Sequence, residues 1–277
     1  MRASLKKASP SARKPCNLGG AFGVACYMVT KRLVFALFVV ASIGALLATA
    51  NGVAKIAAPA RAESAPQFKY HQTLRDHQSV AIDVSGDLGA DIHVIGSNAG
   101  TVNVSATAKG ALADRVEMRR SQEGPVLRFA FGLKPASRSL RTWLHLHSTN
   151  VEVVVYVPRS VDLSATAVNG SVVVDKVTGR LAVRIVNGPI EVTGAGTLLS
   201  LRCTNGPIDA AITSLTAVLD IDIRTTNGPI DVTVPKGFKA SSHTSVVFGA
   251  VDNNLPNSGP GHMDLHAVTG AISVEQR

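Results

Sequence analysis

The sequence predicts an all-β protein, a single-stranded β-solenoid (β-helix-like) with repeats of about 18–22 residues. Three observations carry this expectation. From Ser79 onward apolar and polar residues alternate, as in Val80, Ile82 and Val84 and through Val151 to Val157, the period of strands with one buried face. Asn-Gly recurs at Asn169-Gly170, Asn187-Gly188, Asn205-Gly206 and Asn227-Gly228, at spacings of 18, 18 and 22 residues. The stretches LAVRIVNGPIEVT, LSLRCTNGPIDAAI and IDIRTTNGPIDVTV align without gaps. A fixed period near 20 built from strands and glycine turns marks one supersecondary unit stacked on itself.

Residues 1–62 read as a leader. They hold nine of the 28 Lys and Arg residues and no acid. Leu33 to Ala50 is nearly all apolar, stands behind Lys31-Arg32, ends in Ala48-Thr49-Ala50 and is followed by Ala60-Arg61-Ala62. That is the pattern of a secretory signal peptide, with cleavage expected after Ala62 and sites nearer Ala50 or Ala54 as alternatives. The apolar run is also about long enough to span a bilayer, so retention would make it a membrane anchor with its basic flank inside. Met28 opens a conventional signal start, and translation is expected to begin there. Beyond residue 62 the chain has 19 basic and 19 acidic side chains. With no net charge left for a basic face, no nucleic-acid partner is expected.

Residues 63–78 are polar without a clear period and read as a linker. Residues 79–277 then form the solenoid domain. Its first part, 79–157, has longer and less regular strands that cap or thicken one end, with one short helix expected around 111–119. Cys203 is the only cysteine after the leader, which excludes an intrachain disulfide or a cysteine metal cluster there.

Each repeat can be read position by position. Leu181, Val183 and Ile185 precede a turn, matched by Leu199, Leu201 and Cys203, and by Ile221, Ile223 and Thr225. After the turn, Ile190/Val192, Ile208/Ala210 and Ile230/Val232 correspond. These should point inward. Weaker copies of the turn follow at Phe248-Gly249 and Thr269-Gly270. The turn asparagines should stack, because Asn tolerates the left-handed conformation and the following glycine takes it freely.

The outward positions should form charged columns. Arg184, Arg202 and Arg224 make one, and Glu191, Asp209 and Asp231 make another, with like charges roughly 4.8 Å apart along the stack. They keep the solenoid soluble and blunt edge pairing. They are also the candidate binding strip, flanking one turn and able to neutralise each other in part.

The segment from Tyr156-Val157-Pro158 through the four Asn-Gly units, together with Val234-Pro235-Lys236-Gly237, resembles the bacterial putative-adhesin domains, also called toast-rack domains. The resemblance covers roughly residues 79–277 and is strongest over 151–240. It implies a right-handed β-helix-like fold outside the cytoplasmic membrane. It implies ties to envelope stress in some relatives, and it supplies no catalytic residues.

Motifs for chemistry are absent. No Gly-x-Ser-x-Gly elbow, Walker loop, dinucleotide fingerprint or calcium nonapeptide occurs. His145-x-His147 lacks a third ligand, and His262 and His266 lack a partner pair, so no metal site and no cofactor is expected. The expected function is a non-catalytic envelope module, adhesin-like, that binds or scaffolds an envelope polysaccharide or protein. Two alternatives stand beside it. One is a polysaccharide-cleaving β-helix enzyme, using carboxylates among Asp209, Asp220, Asp222 and Asp231 with Arg202 and Arg224. The other is a membrane-anchored envelope-stress sensor.

Overall fold

A computed structural model describes residues 67–75, 78–134, 149–196, 198–213, 220–255 and 258–277. All of them belong to one compact unit, Glu63–Arg277. The leader, the Leu33 to Ala50 run, Trp143, His145 and His147 lie outside the described residues.

The described residues are strands, with one short 3-10 turn at Ala113–Arg115. Eight coils carry the architecture, each with one strand or strand segment on each of two ladders. In chain order, coil 1 is β2 (Ser79–Val84) and β3 (Gly89–Ser97), and coil 2 is β6 (Val126–Leu133) and β7 (Asn150–Pro158). Coil 3 is the long bent strand β8 (Asp162–Asp175). Coil 4 is β9 (Arg180–Asn187) and β10 (Ile190–Ala195), coil 5 is β11 (Leu198–Asn205) and β12 (Ile208–Ile212), and coil 6 is β13 (Asp220–Asn227) and β14 (Ile230–Val234). Coil 7 is β15 (Ala240–Phe248) and β16 (Val251–Asn253), and coil 8 is β17 (Gly261–Thr269) and β18 (Ile272–Gln276). Every coil pairs with its neighbours in parallel, first strand on first strand and second on second. The result is two parallel ladders with the core between them. The inward residues named from the sequence, including Leu181, Leu201, Cys203, Ile208, Ile223 and Val232, are all buried.

The stack does not follow chain order. Coil 2 lies outside coil 1, because β3 pairs with both β7 and β8. At the other end β13 pairs with β17, and among the described residues β15 pairs only with β17. The sequence of coils in space is therefore 2-1-3-4-5-6-8-7, which corrects the simple succession expected for the turns at 248 and 269. The inward residues explain it. Coil 8 turns Met263, Leu265, Ala267, Ile272 and Val274 inward, all buried, and these need cover on both sides. The matching positions of coil 7 are Ser242, Thr244, Val246, Val251 and Asn253. A coil with polar inward positions can meet water, so it takes the end.

The opposite end is closed by three antiparallel strands. β4 (Thr101–Lys109) pairs with β7, β1 (Gln67–Thr73) pairs with β4, and β5 (Val116–Glu123) pairs with β6. Two expectations change here. Residues 67–73 of the expected linker are a strand of the sheet. The helix expected around 111–119 is a turn leading into β5, whose residues Val116, Met118 and Arg120 alternate on one side of a pleat. Between β1 and β6, Tyr70 packs edge-on against Phe129 at 5.2 Å and Phe68 against Phe131 at 6.4 Å. Arg120 closes the end, its guanidinium 5.1 Å from the Tyr70 ring centre and donating to the hydroxyl at 2.8 Å.

The Asn-Gly corners stack in register. Asn187 donates to Asn169 at 2.9 Å, Asn205 to Asn187 at 2.8 Å and Asn227 to Asn205 at 2.8 Å. Beside this ladder runs a column of glycines. Gly188 has φ +132° and a Cβ on it would lie 1.6 Å from the Gly170 carbonyl oxygen. Gly206 sits likewise under Gly188, with φ +152° and 2.2 Å of room. Both the backbone conformation and the approach of the next coil exclude a side chain.

Candidate functional site

The parallel register places the sequence-predicted columns side by side. On the first ladder Arg202 is the direct partner of both Arg184 and Arg224, and the column continues into His266 and Ser245. On the second ladder Asp209 pairs with Glu191 and Asp231, and the column continues into Ser273 and Asp252. The turn residues Asn169, Gly170, Asn187, Gly188, Asn205, Gly206, Asn227 and Gly228 hold the corner between these two faces.

Arg202 and Arg224 pair with carboxylates of their own ladder. Asp222 lies on the same outward face, two residues before Arg224, and receives Arg224 Nε at 2.6 Å and Arg202 Nη2 at 3.2 Å. A second nitrogen of Arg224 reaches Asp264 at 3.2 Å. The hydrogen bond to Asp222, then its charge, holds the Arg224 guanidinium above its ordinary pKa. The reason is strand geometry. Residues two apart on one strand share a face, whereas the acid column sits around the corner on the other ladder. Arg184 has alanine and serine neighbours, Ala182 and Ser200, in that adjacent column, and makes no ion pair among the described residues. The strip is thus two arginines held by carboxylates and one left open to solvent.

Asp222 and Asp264 were legible in part. The period-two pattern puts Asp222 beside Arg224, but only the out-of-order stacking brings Asp264 next to it. The carboxylates considered for glycan cleavage fall into two groups, Asp220 and Asp222 on the first ladder and the register partners Asp209 and Asp231 on the second. Asp222 is engaged by two arginines.

Cys203 occupies the core column between Ile185 and Thr225. Its thiol donates to the Gly188 carbonyl at 3.3 Å, and burial pushes its pKa up. A thiol held neutral and covered is a packing group, not a nucleophile. Among the described residues no group of three or more His, Cys, Asp and Glu is placed to hold a metal ion. No helix among them is long and apolar enough to cross a membrane.

No family model and no curated protein matches the chain. Solved structures of similar architecture exist. One is described as a putative cell adhesion protein from Clostridium sporogenes, 13% identical, with 76% of this chain and 100% of that chain covered and a TM-score of 0.48. Another is a putative adhesin from Parabacteroides merdae, 14% identical, with 76% and 96% covered and a TM-score of 0.32. A third is a putative adhesin from Bacteroides fragilis, 11% identical, with 76% and 97% covered and a TM-score of 0.34. The chain is similar to these bacterial proteins, and its repeats resemble the domain group that bears the same description.

Proposed function

We propose that the chain is an exported, non-catalytic module of the cell envelope that binds or scaffolds an anionic envelope polymer through the outward face of its first ladder. The observation that carries this reading is the arginine column itself. Parallel pairing fixes Arg184, Arg202 and Arg224 at one strand spacing on a rigid sheet, and a repeating cation suits a repeating anion. Asp222 orients the guanidinium groups of Arg202 and Arg224 and limits the net charge they offer. Arg184 supplies the uncompensated charge. The leader supports export, since a basic start and an apolar core form a secretory signal.

The experiment is retention of the full chain on isolated peptidoglycan and on polyanionic cell-wall polymer, with product release measured in the same samples. The triple variant Arg184→Gln, Arg202→Gln, Arg224→Gln is expected to lose retention while keeping its melting temperature within a few degrees. Unchanged retention by a folded triple variant would reject the strip. Release of soluble product that disappears in Asp209→Asn or Asp231→Asn would replace this reading with a polysaccharide-cleaving enzyme.

A further inference from the structure

A second surface, on the other ladder and at the opposite end from coil 7, has a shape and chemistry that the arginine column lacks. β4 lies between β1 and β7 in the sheet. Its outward residues Asn103, Ser105 and Thr107 are short and polar. The flanking strands carry longer ones, with Lys69 and His71 on β1 and Tyr156 on β7. Register sets them in rows, His71 beside Asn103 beside Tyr156, and Lys69 beside Ser105 beside Val154. Short side chains between long ones make a trough along β4. Its walls stand two strand spacings apart, roughly 10 Å. The structure shows a hollow of about 430 Å³ there, bounded by Lys69, His71, Asn103, Ser105 and Tyr156, within the size range of small-ligand clefts.

Each boundary has a distinct capacity. Tyr156 is 44% exposed on an outward sheet face, where a ring gains nothing from the core and is free to stack. The His71 ring nitrogen is hydrogen-bonded to the Asn103 carbonyl oxygen, which fixes the Asn103 amide. Its amino group makes no hydrogen bond among the described residues, so it remains a donor. Ser105 adds a hydroxyl. Lys69 has no carboxylate partner among the described residues. The nearest ion pair along the trough, Lys109 with Glu152 at 2.8 Å, is already satisfied.

We infer that this trough is a binding site for a short stretch of acidic glycan: a sugar face stacks on Tyr156, its hydroxyls bond Asn103 and Ser105, and its carboxylate pairs with Lys69. An apolar helix or lipid surface fits poorly, because it would cover the Asn103 and Ser105 groups without satisfying them. A charged polymer with no flat apolar face would leave Tyr156 unused. A uronic-acid sugar satisfies all three demands at once. This site is separate from the arginine column, so either can fail alone.

Calorimetric titration of the full chain with tetragalacturonate and with the neutral maltotetraose tests the inference. The expected result is binding of tetragalacturonate that weakens with added salt. Tyr156→Ala should weaken it about tenfold or more, a loss of about 1.4 kcal/mol. Tyr156→Phe should keep it within about threefold, since the ring face is retained. Lys69→Gln should bring the acidic tetramer down toward the neutral one. Tyr156→Ala should weaken binding by the same factor in the Arg184→Gln, Arg202→Gln, Arg224→Gln background, where the arginine column no longer offers a second anion site. Far-ultraviolet circular dichroism and melting confirm that each variant is folded. The inference is overturned if the wild type binds neither oligosaccharide, if Tyr156→Ala binds as well as wild type, if the triple arginine variant abolishes binding, or if a poly-glutamate peptide displaces the tetramer at equal concentration.

Discussion

Asn253 reaches across the end of the core from one ladder to the other and donates a 3.0 Å hydrogen bond to the Ser242 hydroxyl. The same asparagine accepts from the Leu255 amide at 3.1 Å. These contacts turn the last coil into a polar lid. Replacing Asn253 with Ala should cost about 1 kcal/mol, visible as a lower urea midpoint. Replacing Ser242 and Asn253 together with Leu should have a different effect, since it offers an apolar end with unpaired strand edges. Light scattering should then show self-association that depends on concentration. A double variant that stays monomeric at high concentration would contradict the lid.

Thr225 is buried, and its hydroxyl has no hydrogen-bond partner among the described residues. Valine has the same shape without the desolvated oxygen. Thr225→Val should therefore raise stability by about 1 kcal/mol and increase the melting temperature by a few degrees. A lower melting temperature would show that the hydroxyl is satisfied after all.

Glycine at the corner is needed for two reasons at once, and alanine separates corners from other glycines. Gly188→Ala forces a Cβ onto the Gly170 carbonyl in a left-handed conformation and should cost more than ~2 kcal/mol. Gly100 has no atom within 4 Å of a Cβ, so Gly100→Ala should stay within about 0.5 kcal/mol of wild type. Chemical denaturation of the pair measures the contrast directly.

Asp222 restrains two arginines, and removing its charge should strengthen the strip it neutralises. Asp222→Asn is expected to elute from an anionic-polymer column at higher salt than wild type. Its own stability should change little, because the pairs it breaks are solvent-exposed. Elution at lower salt would mean that Asp222 positions the arginines rather than masking them.

Cys203 gives a pH signature. Desolvation raises its folded pKa, with a smaller opposing contribution from a backbone hydrogen bond. Above the ordinary thiol pKa the unfolded chain loses this proton while the folded chain keeps it, so folding is progressively disfavoured as pH rises. Below that range the thiol is neutral in both states and contributes no slope. The stability of wild type should thus fall more steeply than that of Cys203→Ala above about pH 9. At pH 8 the thiol should react with iodoacetamide only as fast as the core opens. Immediate labelling of the folded protein would refute its burial.

Local pattern made the coils legible and left their order hidden. The gapless alignment of LAVRIVNGPIEVT with its two successors gave the pairing of Leu181, Leu199 and Ile221 residue for residue, because parallel register repeats whatever the sequence repeats. It could not place coil 8 inside coil 7, since that choice depends on which coil tolerates an open side. The polar inward residues Ser242 and Asn253 were the available signal. β1 was hidden for a related reason. It is an edge strand whose outward half, Gln67, Lys69, His71 and Thr73, is polar, so its alternation reads as a linker. The trough beside it needs three strands far apart in sequence, and no one of them carries a motif.

The swapped order of the final two coils has a consequence for assembly. Coil 7 leaves the ribosome before coil 8, yet its described strands pair only with those of coil 8. It must wait unpaired, or dock on coil 6 and be displaced when the later strand wedges in. A shortened chain lacking residues 261–277 would therefore lose two coils, not one, and expose the apolar underside of coil 6 to any protease or chaperone that meets it.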